Sequence, residues 1–156
     1  MYIKLDPKKK FGFTLNAIFA TDIDKDLPLD QLEFTYSKKT CRIKHVIFNN
    51  KIIATLRTDG GFALTIDGAE LLLKTNKIKE NCIIVRNDVA EFIKEGRSVF
   101  CKHVIYAGSN IKANSDVIIL DEDNNLLAVG KSVLPYNMIR EFNRGVAAKV
   151  RHSVND

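Results

Sequence analysis

The chain has 156 residues, of which 46% are hydrophobic, and a formal net charge of +5. This length suits one ordinary domain or two small ones, and the apolar content excludes a disordered tail. No apolar run approaches the roughly 20 residues that cross a bilayer, and the N-terminal segment lacks the continuous apolar region of a secretory signal.

Cysteine and histidine spacing argues against a metal site. Cys41, Cys82 and Cys101 are odd in number and form no CxxC pair, and the three histidines are equally scattered. Metal clusters need ligands at short, regular spacings, so we predict no metal and no cofactor. We expect three small, buried thiols in a reducing compartment, hence a cytoplasmic protein without a membrane partner.

The first half of the chain predicts a small α+β unit. Apolar spacing over 8–20 favours a short helix, although Gly12 weakens this prediction, and a polar connection follows. Asp67 and Glu70 form a capping-box pair that opens a second helix, through about Lys74. Between the helices, short β-branched and aromatic segments separated by turn residues predict a meander of strands over 32–36, 42–48, 51–57 and 62–66.

A polar, lysine-rich segment at 75–80 has no periodicity, so we place a boundary there and predict domains over 1–78 and 79–156. In the second half, Asp88 and Glu91 open a helix over 89–95, and Gly96 lies where a left-handed cap is needed. A further helix runs from Pro135 to Phe142. The predicted strands are 82–85, a long run over 98–106, 116–120, 126–129 and 146–150. So many short strands predict a compact, partly closed mixed β-barrel with short helices, and the fold class is α+β.

This order of elements resembles the PUA domain, the pseudouridine synthase and archaeosine transglycosylase domain. The resemblance is carried by CIIVRNDVAEFIKEGRSVF, SDVIILDEDNNLLAVGKSVL and MIREFNRGVAAKVRH. Upstream, SKKTCRIKHVIFNNKIIATLRTDGGFALTIDGAELLL is similar to the domain that precedes the PUA domain in archaeal tRNA-guanine transglycosylase and archaeosine synthase. One departure is Ala113-Asn114-Ser115-Asp116, where the family often has a Pro-Gly-Asp turn. The chain is too short for a catalytic barrel, which takes about 250 residues.

The corner after the second-half helix is the first candidate site. Gly96 has no Cβ, so a sugar–phosphate backbone can approach its main chain. Arg97 can hold a phosphate with two donors, and Ser98 can add a third. Gly96 also serves as a helix cap, and the two roles are compatible. The resemblance implies that this corner lies against RNA.

Basic residues near the C-terminus form a second candidate group. Between 131 and 152 there are five positive residues and one acidic residue, Glu141. Lys149 and Arg151 are two apart on a predicted strand and share a face. A solvated surface is the simpler interpretation, but the resemblance implies that the last strand contributes to the RNA surface. The predicted RNA-binding residues are Gly96, Arg97, Ser98, Lys102, Lys131, Arg144, Lys149, Arg151 and His152.

Other residue patterns have less functional support. Ser98, His103 and Asp116 supply the residue types of a catalytic triad, but no nucleophile elbow surrounds any serine, so we predict no catalytic residues. The acidic run at 121–123 lies at a hairpin turn, where acidic residues are common. A basic patch in the first half either extends an RNA footprint or keeps the protein soluble. It consists of Lys38, Lys39, Arg42 and Lys44.

We therefore expect a non-catalytic protein that binds structured RNA and not DNA. The resemblance implies that the RNA is tRNA and that it is bound at its acceptor stem and 3′ end. Two alternatives stay open. The chain is the RNA-binding subunit or small form of a tRNA-modifying enzyme of the archaeosine pathway, working with a catalytic partner protein. Otherwise it is a ribosome- or translation-associated interaction module.

Overall fold

A computed structural model of the protein describes residues 6–156. The chain separates into two compact units, the first ending at Lys77 and the second beginning at Ile78. Residues 1–5, the start of the predicted N-terminal domain, lie outside the described part. The assignment of 1–78 and 79–156 to separate domains stays a prediction. Within residues 6–156, no helix is both long enough and apolar enough to cross a membrane.

Helix α1 spans Pro7–Phe19 and confirms the helix predicted over 8–20. Asp6 caps it, because its carboxylate accepts a hydrogen bond of 3.0 Å from the N–H of Lys8. The residues of its buried face recur every four positions and fill the core of the first unit. They are Phe11, Leu15 and Phe19.

Gly12, which weakened the helix prediction, is required by packing. A Cβ at this position would come within 2.9 Å of the Cβ of Asp24, which lies in a turn of 3-10 helix at Ile23–Asp26. The glycine therefore lets the connection after α1 fold back against the helix. A second 3-10 turn, at Leu29–Gln31, leads into the sheet.

The sheet of the first unit is an antiparallel meander of four strands, as predicted. Asn49 and Asn50 take left-handed backbone angles, φ 50° and 63°, which suits the two-residue turn between its second and third strands. The rings of Phe11 and Phe62 meet edge-on at 5.1 Å and join α1 to the sheet. In chain and sheet order the strands are β1 Glu33–Tyr36, β2 Ile43–Phe48, β3 Lys51–Leu56 and β4 Phe62–Leu64.

Helix α2 spans Ile66–Leu73. Its cap is Thr65, whose hydroxyl accepts a hydrogen bond of 3.1 Å from the N–H of Gly68. The predicted capping box of Asp67 and Glu70 is therefore wrong. Strand β4 ends two residues earlier than predicted, so Asp67 already lies in the first helical turn.

The second unit is a six-stranded mixed sheet that curls into a nearly closed barrel with short helices. Its elements are β5 Cys82–Val85, α3 Ala90–Lys94, β6 Val99–Phe100, β7 Val104–Ala107, β8 Asp116–Leu120, β9 Leu126–Ser132, α4 Tyr136–Glu141 and β10 Val146–Ser153. The strand order is β6-β10-β9-β8-β5-β7, with β5 and β8 parallel and the other neighbours antiparallel. The predicted α+β fold class, with a compact mixed barrel, is confirmed.

The barrel interior is filled by the inward side chains of the sheet and by one face of each helix. The buried core includes Ile83, Val85, Ile93, Val99, Val117, Ile119, Leu127, Ile139 and Ala147. All five residues of β8 are buried, which explains why the four that follow Asp116 form a continuous apolar run in the sequence. This core fixes the strands that carry the candidate site.

Three predicted details of the second unit are wrong. The run over 98–106 is not one strand, because a 3-10 turn at Cys101–His103 carries the chain from β6 at one edge of the sheet to β7 at the other. The helix predicted over 89–95 has no side-chain cap, and the chain enters α3 through a 3-10 turn at Asn87–Val89. The last two strands each continue three residues beyond their predicted ends, β9 to Ser132 and β10 to Ser153.

The three cysteines occupy two kinds of environment. Cys82 and Cys101 are buried, and burial raises the pKa of the Cys82 thiol to about 12. Cys41 is exposed and lies in the loop between β1 and β2 with φ 59°. The prediction of three buried thiols is therefore wrong for Cys41, which sits at a loop tip away from the core.

Candidate nucleic-acid interface

The corner between α3 and β6 is open and has the conformation that the sequence predicted. Gly96 has φ 92°, and its N–H donates to the carbonyl of Ile93 at 2.9 Å. The N–H of Arg97 donates to the carbonyl of Phe92 at 3.1 Å, so two backbone bonds close the helix end. A Cβ at Gly96 would meet no atom within 4 Å. The main chain here is accessible to a large ligand.

Arg97 lies on the surface of this corner. Its guanidinium stacks on the ring of Phe92 at 5.1 Å, and the Glu95 carboxylate is 3.6 Å from its Nε. The side chain is nevertheless 66% exposed, so its donors are available to solvent. Ser98, the next residue, is half-buried. The corner thus offers backbone, one cation and an exposed aromatic ring.

A row of charged residues crosses the neighbouring strands. Lys149 on β10 is directly opposite Lys131 on β9, and Lys131 is directly opposite Asp116 on β8. Residues directly opposite each other project from the same face of a sheet, with Cβ atoms about 5 Å apart. Both lysines are exposed and, within residues 6–156, neither forms an ion pair.

The open corner and the lysine row lie on adjoining strands. Val99 of β6 pairs with Ala148 of β10, the residue before Lys149. Both Val99 and Ala148 face the core, so their neighbours Ser98 and Lys149 project outward. The structure therefore brings together Gly96, Arg97, Ser98, Lys131 and Lys149.

Arg151 is engaged within the protein. Its Nη1 lies 3.6 Å from the carboxylate of Asp116, which is 7% exposed. The pairing of β10 with β9 is irregular between Val150 and His152, so Arg151 occupies a bulge and strict alternation with Lys149 ends there. Since Asp116 is opposite Lys131, the guanidinium still lies beside the lysine row, but a buried carboxylate compensates its charge.

His152 is directed to the end of the chain. Its Nδ1 is 3.5 Å from a carboxylate oxygen of Asp156. The N–H and hydroxyl of Ser153 also donate to that carboxylate, and these bonds, the backbone one most strongly, lower the pKa of Asp156. The side chain of His152, on β10, is thus paired with a residue of the segment that follows this strand.

Lys102 and Arg144 lie at the other end of β10. The N–H of Cys101 donates to the carbonyl of Gly145 at 3.0 Å, so the neighbours of these two basic residues are in contact. Both side chains are exposed. Arg144 precedes Lys149 by five residues, which corresponds to roughly 16 Å along a strand. The structure therefore separates this pair from the open corner.

A hydrogen-bonded carboxylate in the second unit was not apparent from the sequence. Glu80 accepts hydrogen bonds from the N–H and the hydroxyl of Ser109, each at 2.8 Å, and from the hydroxyl of Tyr106. These bonds, with the backbone N–H the largest cause, lower the pKa of Glu80 to about 2. Arg140 stacks on the rings of Tyr106 and Tyr136 and donates to the carbonyl of Ala107. These contacts stabilise the second unit, and they engage Arg140 away from the candidate interface.

The acidic run at 121–123 stabilises its own turn. One carboxylate oxygen of Asp121 accepts from the N–H groups of Asp123 and Asn125, at 2.9 and 2.8 Å. Glu122 accepts a hydrogen bond of 2.9 Å from the N–H of Asn87. Among the residues that the structure covers, no group of three or more His, Cys, Asp or Glu side chains could hold a metal ion.

Two interface features escaped the sequence prediction, for different reasons. Phe92 lies beside the core residues of α3 but is 47% exposed, and its position off the apolar stripe was a detectable signal. The pairing of Asp116 with Arg151 depends on a bulge in β10, and no local sequence pattern predicts that bulge. Phe92 stacks on the guanidinium of Arg97, and Asp116 compensates the charge of Arg151.

Two family models match successive parts of the chain. Residues 81–154 match the PUA domain, and residues 15–78 match the patch-forming domain C2 of tRNA-guanine transglycosylase. The chain is therefore a PUA-domain protein in which a C2-type domain precedes the PUA domain, as the resemblance implied.

The proteins similar to this chain include archaeal tRNA-guanine(15) transglycosylases. The tRNA-guanine(15) transglycosylase of Thermoplasma volcanium is 38% identical over 133 residues, which cover 85% of this chain and 21% of that protein. The tRNA-guanine(15) transglycosylase of Methanosphaera stadtmanae is 37% identical over 137 residues, covering 87% and 19%. The chain resembles the C-terminal region of these relatives and spans about a fifth of their length.

Solved structures share the fold over nearly all of the chain. A hypothetical protein from Pyrococcus horikoshii matches with a TM-score of 0.77 and 20% identity, covering 96% of this chain and 90% of that one. A conserved PUA domain protein from Thermoplasma acidophilum matches with a TM-score of 0.70 and 17% identity, covering 97% and 93%. At these identities the similarity establishes the fold.

Proposed function

We propose that this protein binds tRNA at its acceptor stem and 3′ end, without catalysing a reaction itself. PUA domains bind RNA, and the relatives of this chain are parts of tRNA-guanine transglycosylases, which supports a role in tRNA modification. The carrying observation is the pair of facing lysines, Lys131 and Lys149, beside the open Gly96 corner. The cytoplasmic location stays part of the proposal.

The chemistry of this surface suits a sugar–phosphate backbone. Two ammonium groups held on one face by opposing strand positions repel each other, and a phosphate between them removes that repulsion. The bare corner at Gly96 lets a ribose or phosphate reach backbone N–H and C=O groups. Duplex RNA presents 2′-hydroxyls and phosphates across a shallow minor groove, so recognition by shape fits this arrangement.

The structure refines the group of residues that we propose to contact RNA. Arg97, Lys131 and Lys149 are the cations of the main contact, with Gly96 and Ser98 supplying backbone and hydroxyl. Arg151 is partly buried and supports the surface through its ion pair with the buried Asp116, whereas the exposed His152 is paired with Asp156. The two exposed cations Lys102 and Arg144, near the start of β10, lie outside the contact that we propose.

A filter-binding titration against tRNA at 50 and 200 mM salt tests the proposal. Three phosphate contacts predict a slope of log K against log salt of about −2 to −2.7, and a Kd below about 10 μM at the lower salt. Changing Lys131 or Lys149 to Ala is expected to weaken binding about three- to tenfold and to reduce the slope by almost one. No detectable binding at 50 mM salt contradicts the proposal.

Arg86→Ala is the matched control for these variants. Arg86 is exposed, pairs with Asp88, and lies after β5, at the opposite end of the barrel from Asp116. Its loss removes one positive charge without touching the proposed surface. An equal effect of Arg86→Ala and Lys149→Ala would show that net charge alone drives binding.

A second candidate function follows from the span of the relatives. The chain matches about a fifth of the length of each transglycosylase, and the matched part is their C-terminal region. As an RNA-binding subunit or small form of an archaeosine-pathway enzyme, it would deliver tRNA to a catalytic partner. Affinity purification from its own cells tests this, with co-purification of a transglycosylase-like or synthase-like protein as the supporting result and a partner-free monomer as the contrary one.

A further inference from the structure

The first unit contains a basic cavity that none of the contacts above uses. It has a volume of about 520 Å³, within the range of about 300–1,000 Å³ typical of ligand sites. Ile43 and Leu56 supply apolar surface to the cavity. Tyr36, which is 47% exposed, also lines it. Three lysines complete its lining, namely Lys38, Lys39 and Lys44.

The charges around the cavity are uncompensated. Between Glu33 and Asp59 the chain has six basic residues and no acidic one. Two of the six are paired, Lys51 with Asp67 and Arg57 with Asp59. Within residues 6–156, the three lysines of the cavity form no ion pair. This arrangement concentrates positive potential at the cavity and attracts anions.

The loop between β1 and β2, which carries Lys38 and Lys39, is stabilised by its own hydrogen bonds. The N–H of Ser37 donates to the carbonyl of Arg42 at 2.8 Å, and the N–H of Cys41 donates to the carbonyl of Ser37 at 2.9 Å. The Ser37 and Thr40 hydroxyls accept further backbone N–H groups. Binding therefore orders few additional backbone torsions, and little affinity is lost to entropy.

We propose that this cavity binds an unpaired nucleotide of an RNA chain. The base stacks on Tyr36, and the lysines contact its phosphate and the adjacent ones. An exposed aromatic ring beside a positive groove is the arrangement by which proteins hold single strands without reading sequence. This inference rests on the proposed RNA-binding function and adds a second site, in the first unit, for single-stranded RNA.

An RNA chain fits the cavity better than a free nucleotide does. The lysines are spread over the loop and strand β2, as successive backbone phosphates require, and each is a separate point charge. Neither a phosphate-binding GxxxxGK[ST] motif nor a GxGxxG motif occurs in the chain to enclose the phosphates of a mononucleotide.

NMR titration of the uniformly 15N-labelled chain of 156 residues tests the site. Hexa-adenylate is expected to shift the amide signals of residues 37–44 and to bind at least tenfold more tightly than adenosine monophosphate. Inorganic phosphate is expected to shift the lysine-bearing loop only weakly. An equal affinity for hexa-adenylate and adenosine monophosphate overturns the assignment to an RNA chain, and unshifted 37–44 signals overturn the site.

Substitutions separate stacking from charge. Tyr36→Ala is expected to weaken hexa-adenylate binding at least fivefold, whereas Tyr36→Phe keeps the ring and stays within about twofold. Lys39→Ala is expected to reduce the salt slope by about 0.7, the value for one phosphate of a single strand. Lys74→Ala, an exposed lysine of the same unit outside this cavity, is the charge control. Unchanged affinity in Tyr36→Ala contradicts the proposal.

The two RNA proposals fail independently. Lys131→Ala with Lys149→Ala is expected to abolish binding to the tRNA stem while hexa-adenylate still shifts the 37–44 signals. If the stem binds and the 37–44 signals do not move, the cavity proposal alone is wrong. If the reverse is found, the stem contact is wrong and the cavity stands.

Discussion

Lys131 on β9 and Lys149 on β10 are direct cross-strand partners on one face of the PUA barrel. Like charges in this relationship destabilise a sheet by a few tenths to about 1 kcal/mol. The carboxylate on the other side of Lys131, Asp116, is engaged by Arg151. The folded protein therefore retains a local repulsion that a bound phosphate relieves, which links this surface to RNA binding.

Lys149→Gln is expected to stabilise the free protein while weakening its affinity for tRNA. The substitution removes the repulsion from Lys131 and keeps most of the side chain. A gain of about 0.5 kcal/mol corresponds to a rise in Tm of about 1–2 °C. Thermal unfolding at 10 and 300 mM salt measures it, and the gain is expected to shrink at high salt because screening already weakens the repulsion. A fall in Tm at low salt would contradict the account.

Arg151→Ala is expected to destabilise the fold. It leaves the Asp116 carboxylate, which is largely buried, without its guanidinium partner. The expected loss is about 1–3 kcal/mol in the free energy of unfolding, measured by urea denaturation. Adding Asp116→Asn to this variant is expected to restore part of the loss, because a neutral amide tolerates burial better. If Arg151→Ala is as stable as the native protein, the ion pair between Arg151 and Asp116 does not stabilise the fold.

Glu80→Gln is expected to lower stability in a pH-dependent manner. The pKa of Glu80 falls from its ordinary 4.5 to about 2 in the folded protein, because the N–H of Ser109 and two hydroxyls donate to its charged form. The stabilisation is therefore complete above the unfolded value of 4.5 and disappears as pH falls through 2.

At pH 7 the expected loss for Glu80→Gln is about 1–2 kcal/mol, since the carboxylate is partly screened by solvent. Melting curves of both proteins between pH 7 and pH 2 give the comparison. The difference in Tm is expected to be constant down to about pH 5 and to narrow below it. A difference that grows on acidification would show that the network does not favour the ionised carboxylate.

Thiol reactivity is expected to distinguish Cys41 from the other cysteines. Cys41 is exposed, whereas Cys82 is buried and its pKa is raised to about 12, first by burial and then by the charge of Glu80. Labelling with a thiol reagent at pH 8 is expected to modify one cysteine rapidly in the native protein and all three in denaturant. Cys41→Ser is expected to remove the rapid phase, and a rapid phase that survives in this variant contradicts the assigned burial.

The sequence predicted the elements better than the contacts between them. Helix α1 and the four-stranded meander follow from apolar periodicity and turn residues, and the PUA barrel was recognisable from its segments. Cap positions were less accurate, since Thr65, and not Asp67, caps α2. Both residue types suit a helix start, and only the point at which the preceding strand ends decides between them.

The candidate site shows the same division. The left-handed turn at Gly96 was predictable because glycine after a helix favours it. The bulge at Arg151, by contrast, depends on how β10 pairs with β9, and the separation of Lys102 from Lys149 depends on the 3-10 turn that ends β6. Such long-range relationships decide which cations meet, and a local sequence pattern does not contain them.

The most direct test of the RNA surface is the affinity for tRNA of Gly96→Ala compared with Gly145→Ala. The two glycines have nearly the same backbone angle, φ 92° and 93°, and a Cβ at either would meet nothing within 4 Å. Both variants are expected to lose about 1 kcal/mol of stability from backbone strain. Gly96→Ala is expected to weaken tRNA binding at least tenfold, because its Cβ blocks the approach of the RNA backbone, while Gly145→Ala stays within about twofold. Equal affinities for the two variants would show that Gly96 only ends a helix and that RNA does not contact this corner.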